Sequence, residues 1–271
     1  MKKKELLSEL EKLGMRPGRG LGQNFLLDGN LLDWIVRRAA PAPGEEILEV
    51  GPGFGALTEK LLAAGARVTA VEYDRRLAAY LREKFQTPAL RLVEADACKV
   101  DYAELFPEGT AFRAVANLPY AISSVFISRM LELSCGPGLM LFMLQREMGE
   151  RLSAGPGVKA YGSLSVRASL DHEVRLEKIV PASVFYPEPE VESAVVSLTR
   201  VRRRPPEAVR RLSRLTRIAF AQRRKQMGKV LAASYGKVPV ENAFAAAGIA
   251  WEIRPDRVTP EQFALLAEAL A

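Results

Sequence analysis

From Glu46 to Leu144 the chain alternates short apolar runs with stretches whose apolar residues recur at helical spacing. Ile47–Val50, Val68–Val71, Leu90–Val93, Arg113–Ala116 and Leu139–Leu144 read as buried strands. Leu57–Ala64, Arg75–Phe85 and Ser123–Leu131 read as the helices between them. This alternation predicts an α/β fold: a mainly parallel, Rossmann-like sheet with helices on both faces and right-handed crossovers. Glu173–Ile179 and Val191–Thr199 are expected to close the sheet as antiparallel strands. Upstream, Leu6, Leu7, Leu10 and Leu13 put an apolar stripe on a short helix ended by Gly14. Asp28 is the expected N-cap of a second helix, with Leu31, Leu32, Ile35 and Val36 on its core face. The run Arg202-Arg203-Arg204-Pro205-Pro206 reads as a linker, dividing residues 1–201 from a small helical domain at 202–271. In that domain Val209, Leu212, Leu215 and Ala219 share one helix face, and Arg210, Arg214 and Arg217 share another. A final helix is expected to start at Thr259-Pro260-Glu261, with proline at its first position.

Composition narrows the chemistry. Two cysteines, Cys98 and Cys135, and one histidine, His172, argue against a disulfide framework, a zinc site or a histidine-centred triad. No metal is therefore expected. No run of eighteen apolar residues occurs and the N-terminus lacks a signal-like apolar stretch, so the expectation is a cytoplasmic protein without a membrane anchor. The net charge of +7 is unevenly spread: between Val201 and Lys237 there are 12 Lys or Arg and one acid, Glu207, which leaves −4 on the remainder. Charge this concentrated predicts a polyanionic partner, a nucleic acid. Arg210, Arg214, Arg217, Arg223, Arg224 and Lys225 are the expected phosphate contacts, with Lys2–Lys4, Arg16 and Arg19 as additions. No element offers an unexplained apolar face, so a monomer is expected.

Glu49-Val50-Gly51-Pro52-Gly53-Phe54-Gly55 follows the first strand of the alternation and opens a helix. Its glycines allow close backbone approach to a ligand. A dinucleotide loop would read G-x-G-x-x-G, and this one matches that form only loosely, through Ala56. Glu49 would repel a pyrophosphate; it suits a ligand bearing an ammonium and a sulfonium. Glu72, 21 residues after Gly51, ends the second strand and is placed to accept ribose hydroxyls. After the third strand, Glu94-Ala95-Asp96-Ala97 offers a carboxylate for an adenine amino group. Gly51, Gly53, Glu72, Asp96, Ala97 and Asn117, at successive strand ends, converge on S-adenosylmethionine as cofactor. Its methyl is electrophilic without a metal or a strong base.

Asn117-Leu118-Pro119-Tyr120 suits methylation of a flat aromatic amine. The lone pair of adenine's exocyclic nitrogen is delocalised into the ring, and acceptors aimed at its two hydrogens would free it. The Asn117 side chain and the Leu118 carbonyl are the candidate acceptors. Pro119 biases Leu118 to an extended conformation, which fixes the carbonyl's direction, and Tyr120 is placed to stack on the base.

Six stretches together resemble one family: Gly22-Gln23-Asn24-Phe25-Leu26, Glu49–Gly53, Asn117–Tyr120, Met143–Glu147, Phe185–Ser193 and Ala219–Lys225. They are similar to the ribosomal RNA adenine dimethyltransferases, in their bacterial small-subunit branch. The resemblance implies a class I methyltransferase fold and transfer of two methyls to each of two adjacent adenines near the 3′ end of small-subunit RNA. It also implies a part in late subunit assembly, with the immature subunit as partner. By position it adds Asn24 and Leu26 as cofactor contacts and Phe185 as a second ring stacking on the base, from an exposed loop. Ala121 departs from the asparagine expected after the tyrosine, and Glu188 and Glu190 are more acidic than expected. Three rivals stay open on sequence: a large-subunit RNA methylase of the macrolide-resistance type, a nicotinamide-dependent oxidoreductase, and a non-catalytic assembly or transcription factor.

Overall fold

The computed structural model describes residues 2–15, 24–134 and 136–271. The basic loop from Arg16 to Gln23, including Arg16, Arg19, Gly22 and Gln23, lies outside the described residues, as does Cys135.

The elements run in order α1 (Lys3–Lys12), β1 (Phe25–Leu26), α2 (Gly29–Ala39), β2 (Glu46–Val50), α3 (Ala56–Ala63), β3 (Arg67–Glu72), α4 (Arg75–Lys84), β4 (Leu90–Glu94) and α5 (Tyr102–Leu105). They continue with β5 (Phe112–Asn117), α6 (Ser123–Glu132), β6 (Leu139–Gln145), α7 (Arg146–Ser153), α8 (Ser163–Asp171), β7 (His172–Val180), β8 (Phe185–Tyr186) and β9 (Ser193–Arg200). Four helices finish the chain: α9 (Pro206–Ala221), α10 (Met227–Tyr235), α11 (Lys237–Ala246) and α12 (Pro260–Ala269).

The seven-stranded sheet has the order β4-β3-β2-β5-β6-β9-β7. Its pairs β3–β4, β2–β3, β2–β5 and β5–β6 are parallel. After β4 the chain returns to the other side of β2, so the order reverses between β2 and β5. A reversal of this kind leaves a crevice at the carboxyl ends of the two strands. The paired register of β2 and β5 runs only from Glu46↔Phe112 to Leu48↔Ala114, so it stops before either strand does.

Two compact units form, Met1–Arg146 with Leu176–Ser197, and Glu147–Arg175 with Leu198–Ala271. The sequence boundary at 201/202 lies close to the second break. The segment Glu147–Arg175, however, groups with the basic helices rather than with the sheet. The cause is apolar packing: Tyr161, Val166 and Leu170 share one core with Leu212, Leu215, Phe244 and Phe263. The stretch 202–206 is also less free than a linker. Arg204 Nε pairs with Asp171 Oδ1 at 2.9 Å, and the N–H groups of Val201 and Arg202 donate to the Asp171 carbonyl. α9 buries Leu212, Leu215 and Ala219 and leaves Arg210, Arg214 and Arg217 exposed, as its periodicity predicts.

Local signals behave as read. Asp28 Oδ1 accepts from the Leu31 N–H at 2.9 Å, capping α2. Thr259 and Gln262 form a reciprocal capping box before α12, with Pro260 at its first position. In α1, Leu6 and Leu10 are buried, while Leu7 is 42% exposed and drops out of the stripe. Among the described residues no helix is long and apolar enough to cross a membrane.

Candidate active site

The carboxyl ends of β2, β3, β4 and β5 open on a cavity of about 290 Å³, and every residue lining it belongs to the first unit. The loop after β2 forms its floor. Gly51, Gly53 and Gly55 have φ of +65°, +60° and +76°. L side chains avoid that region, and a Cβ on Gly51 would come within 3.0 Å of Pro119. The glycines therefore serve the fold: they let this loop and the Asn117–Tyr120 loop lie against each other.

Glu72, at the end of β3, is 5% exposed. Its two oxygens take backbone N–H bonds, from Gly53 at 3.2 Å and from Asp74 at 2.9 Å. Burial raises its pKa, and these bonds oppose the rise. Glu49 is deeper, 2% exposed, and accepts the Thr58 hydroxyl at 2.7 Å. Burial pushes its carboxyl up to about 8, helped by the charge of Glu72. Asp96, after β4, accepts the Cys98 N–H at 2.8 Å with Oδ1. The buried Tyr102 hydroxyl donates to the Ala97 carbonyl at 2.8 Å and pins this turn.

Asn117 ends β5. Its Nδ2 donates to the Asn24 carbonyl at 3.0 Å. The amide nitrogen is thereby committed, and Oδ1 is the atom left to accept on the cavity side. Leu118 N–H donates to the Met143 carbonyl at 3.1 Å, an extra rung that continues the β5–β6 ladder. The carbonyls of Pro119 and Tyr120 receive N–H bonds from Ile122 and Ser123, which start α6. The Leu118 carbonyl receives none among the described residues, so it is the loop's available acceptor. Tyr120 is half-buried, with its hydroxyl 2.6 Å from Ser193 Oγ. Burial raises the tyrosine's pKa and this hydrogen bond opposes the rise.

Asn24, Leu26, Gly51, Gly53, Glu72, Asp96, Ala97, Asn117, Leu118, Pro119 and Tyr120 all line this one cavity. Phe185 does not, and the expectation of an exposed stacking ring is corrected. Strand β8 pairs with β1, Leu26 opposite Phe185 and Phe25 opposite Tyr186. Alternation along the strand then turns Phe185 into the core, where it is 2% exposed beside Leu26, Leu31 and Val195. The exposed stretch begins later, with Glu188 and Glu190. Sequence reading missed Ser193, Thr58, Tyr102, Asp74 and Leu6. Ser193 sits inside a quoted motif, but nothing in sequence pairs it with Tyr120. Leu6, on α1, walls the cavity through a packing that only the fold reveals.

The cavity's charges select its ligand. Glu49, Glu72, Asp74 and Asp96 line it, and among the described residues no Lys, Arg or His does. Such a lining repels a pyrophosphate and favours a cation, which removes the ground for the nicotinamide alternative. Asn117, Glu72 and Asp96 offer what an S-adenosylmethionine needs: acceptors for ribose hydroxyls and an adenine amine, and negative charge for a sulfonium.

The six expected phosphate contacts lie in the second unit. Arg210, Arg214, Arg217, Arg224 and Lys225 are exposed and Arg223 is half-exposed. Arg210, Arg214 and Arg217 follow one another at four- and three-residue steps, one stripe on α9. Arg223, Arg224 and Lys225 sit in the turn before α10. The N–H groups of Met227 and Gly228 at the start of α10 are already bound to the Ile253 and Trp251 carbonyls. Phosphate capture there would fall to side chains, not to a helix terminus.

A family profile described as ribosomal RNA adenine dimethylase matches residues 17–271. A ribosomal RNA small subunit methyltransferase A from Magnetococcus marinus is 41% identical over 95% of this chain and 93% of its own. A protein of the same name from Anaeromyxobacter sp. is 39% identical over 96% of each. Among solved structures, the 23S rRNA methyltransferase ErmE is 29% identical at a TM-score of 0.67, covering 91% of this chain and 99% of its own. A dimethyladenosine transferase from Plasmodium falciparum superposes with a TM-score of 0.72 at 24% identity, covering 89% and 95%, and shares the fold. With this agreement over nearly the full length, and an α/β methyltransferase fold beneath it, the chain belongs to the ribosomal RNA adenine dimethylase family.

Proposed function

We propose that this enzyme dimethylates the exocyclic amines of two adjacent adenines near the 3′ end of small-subunit ribosomal RNA, acting in the cytoplasm as a monomer during late subunit assembly. The single observation that carries the reading is the Asn117–Tyr120 loop, which shares one acidic cavity with the glycine loop, Glu72 and Asp96. The small-subunit substrate is supported by relatives of that name at 36–41% identity.

S-adenosylmethionine, when bound, supplies an electrophilic methyl. Asn24, Leu26, Gly51, Gly53, Glu72, Asp96 and Ala97 are the residues assigned to hold it. The chain's own residues do the rest. Asn117 Oδ1 and the Leu118 carbonyl accept the two amine hydrogens, drawing the nitrogen toward a tetrahedral shape and exposing its lone pair. Tyr120 stacks on the base, which must leave its helical stack to reach the site. Position and fixed dipoles supply the acceleration. The Arg and Lys stripe of the second unit grips RNA phosphates, setting register more than sequence choice.

The test is to incubate the protein with labelled S-adenosylmethionine and three substrates: immature small subunits, free small-subunit RNA and free large-subunit RNA. Label in dimethyladenosine of the small-subunit substrates supports the proposal. Label confined to large-subunit RNA would replace it with the macrolide-resistance type of reaction. Absence of label from all three would favour an assembly factor without catalysis.

A further inference from the structure

The two buried carboxyls of the cavity are held differently. Glu72 is clasped through both oxygens by the N–H groups of Gly53 and Asp74. Fixed backbone donors of this kind favour the ionised form. Glu49 draws its support from Thr58 alone, through the hydroxyl at 2.7 Å and one backbone N–H, against backbone donors from Gly53, Asp74 and Tyr73 at Glu72. Among the described residues no cation lines the cavity to neutralise either group. Glu49 is also the more deeply buried of the two, 2% against 5% exposed, and still lines the cavity. Two carboxyls in one low-dielectric site do not both ionise readily, so the one with the poorer clasp keeps a proton.

We infer that Glu49 distinguishes the sulfonium methyl donor from its by-product, which keeps the ammonium and carboxylate but has an uncharged thioether sulfur, by exchanging a proton with solvent: it is neutral when the cavity is empty or holds the by-product, and ionised when a sulfonium is present. This rests on the assignment of the cavity as the donor site. The balance closes over one turnover. Donor binding releases the Glu49 proton to solvent. Methyl transfer breaks the carbon–sulfur bond, forms the carbon–nitrogen bond and frees one proton from the amine. Glu49 takes up one proton as the positive charge disappears. The by-product then meets a neutral site rather than the anion that favoured the donor, which promotes its release.

Among the described residues, the titratable groups lining the cavity alongside Glu49 are Glu72, Tyr73, Asp74, Asp96 and Tyr120. Tyr120 stays neutral near pH 7, because burial moves its hydroxyl further from titration. Glu72 is also raised by burial, so the assignment to Glu49 needs its own variant. With the Glu49 carboxyl near 8, about 0.9 proton is available for release at pH 7.

The experiment is isothermal calorimetry of the full chain with S-adenosylmethionine and, separately, S-adenosylhomocysteine, at pH 7 in phosphate and in Tris, whose ionisation heats differ. The donor should release about 0.9 proton and the by-product at least about 0.5 fewer. Donor affinity should strengthen by roughly twentyfold from pH 6 to 7.5, and by-product affinity by less than about threefold. Glu49→Gln should abolish the difference in proton release and keep by-product affinity within about threefold of wild type. Thr58→Val, which retains the carboxyl and removes its hydroxyl donor, should move the donor's pH dependence upward. Equal proton release by the two ligands in the wild type overturns the inference, and so does an unchanged pH dependence in Glu49→Gln. If neither ligand binds saturably, the donor-site assignment itself fails, a result distinct from binding without proton exchange.

Discussion

Gly55→Ala is the sharpest probe of how the glycine loop is built. At Gly55 φ is +76°, and a Cβ would fall 2.5 Å from Phe85 Cε2 and 2.9 Å from Leu81 Cδ2. Leu81 is fully buried and Phe85 half-buried, so the new methyl fits only if the Phe85 ring, the loop or α4 shifts. Gly44 offers a matched control: its φ is +78°, and a Cβ there meets nothing within 4 Å. Both substitutions carry the left-handed backbone cost, about 1–2 kcal/mol. Only Gly55→Ala adds overpacking, about 1–3 kcal/mol. Urea unfolding followed by circular dichroism should therefore show Gly55→Ala less stable than Gly44→Ala by about 1–3 kcal/mol. The displaced loop carries Gly53, whose N–H bonds Glu72, so S-adenosylmethionine affinity should fall in Gly55→Ala and hold in Gly44→Ala. Equal stability and equal affinity in the two variants would refute the claim that the loop is wedged between α4 and the cavity.

Three further outcomes are expected. RNA affinity, measured by fluorescence anisotropy, should fall roughly a thousandfold between about 50 and 200 mM salt if about six phosphates are neutralised. Replacing Arg210, Arg214 and Arg217 together by Ala should flatten the logarithmic slope by about 2–3, and a flat wild-type response would remove the basic footprint. Tyr120→Phe keeps the ring and loses the 2.6 Å contact with Ser193, so turnover should drop by about tenfold or less. Tyr120→Ala should lose a further factor of about 5 to 150 through stacking, and identical turnover in the two variants would exclude it. His172 is buried, with Nδ1 3.3 Å from the Ala168 carbonyl, and burial beside Arg200 pushes its pKa down to about 4. The unfolded chain protonates it near 6.5, so its stabilising effect is complete above that pH and is lost as pH falls toward 4. From pH 7.5 to 4, His172→Gln should lose less stability than wild type by up to about 3 kcal/mol, and parallel losses would contradict the assignment.

Strands β2, β3, β5 and β6 were legible because they are largely buried runs bounded by turn residues; the edge strand β4 is only half-buried and was legible from its apolar residues and its place in the alternation. The caps at Asp28 and Thr259 were legible because they act within one helical turn. Glu72, Asp96 and Asn117 were legible because strand ends in a parallel sheet converge on one edge whatever the loops do. Phe185 was not. Its neighbours Pro187 and Pro189 suggested a loop, yet a two-residue pairing with Phe25 and Leu26, about 160 positions away in the chain, decides which way its ring points. Long-range pairing of so short a ribbon leaves no periodicity to read. The grouping of Glu147–Arg175 with the basic helices was hidden for the same reason, since apolar faces do not announce their partners. The different support of Glu49 and Glu72 depends on which donors reach each carboxyl, a property of the folded loops.

The central claim is that the Asn117 amide, with its nitrogen tied to the Asn24 carbonyl, presents its oxygen to an adenine amine beside a sulfonium site. A crystal structure with S-adenosylhomocysteine and adenosine bound tests it most directly. The account predicts the by-product lodged against Gly51, Glu72 and Asp96, and the adenosine amine within hydrogen-bond reach of Asn117 Oδ1 and the Leu118 carbonyl. A ligand seated elsewhere, or an Asn117 side chain turned away from the occupied cavity, would contradict it.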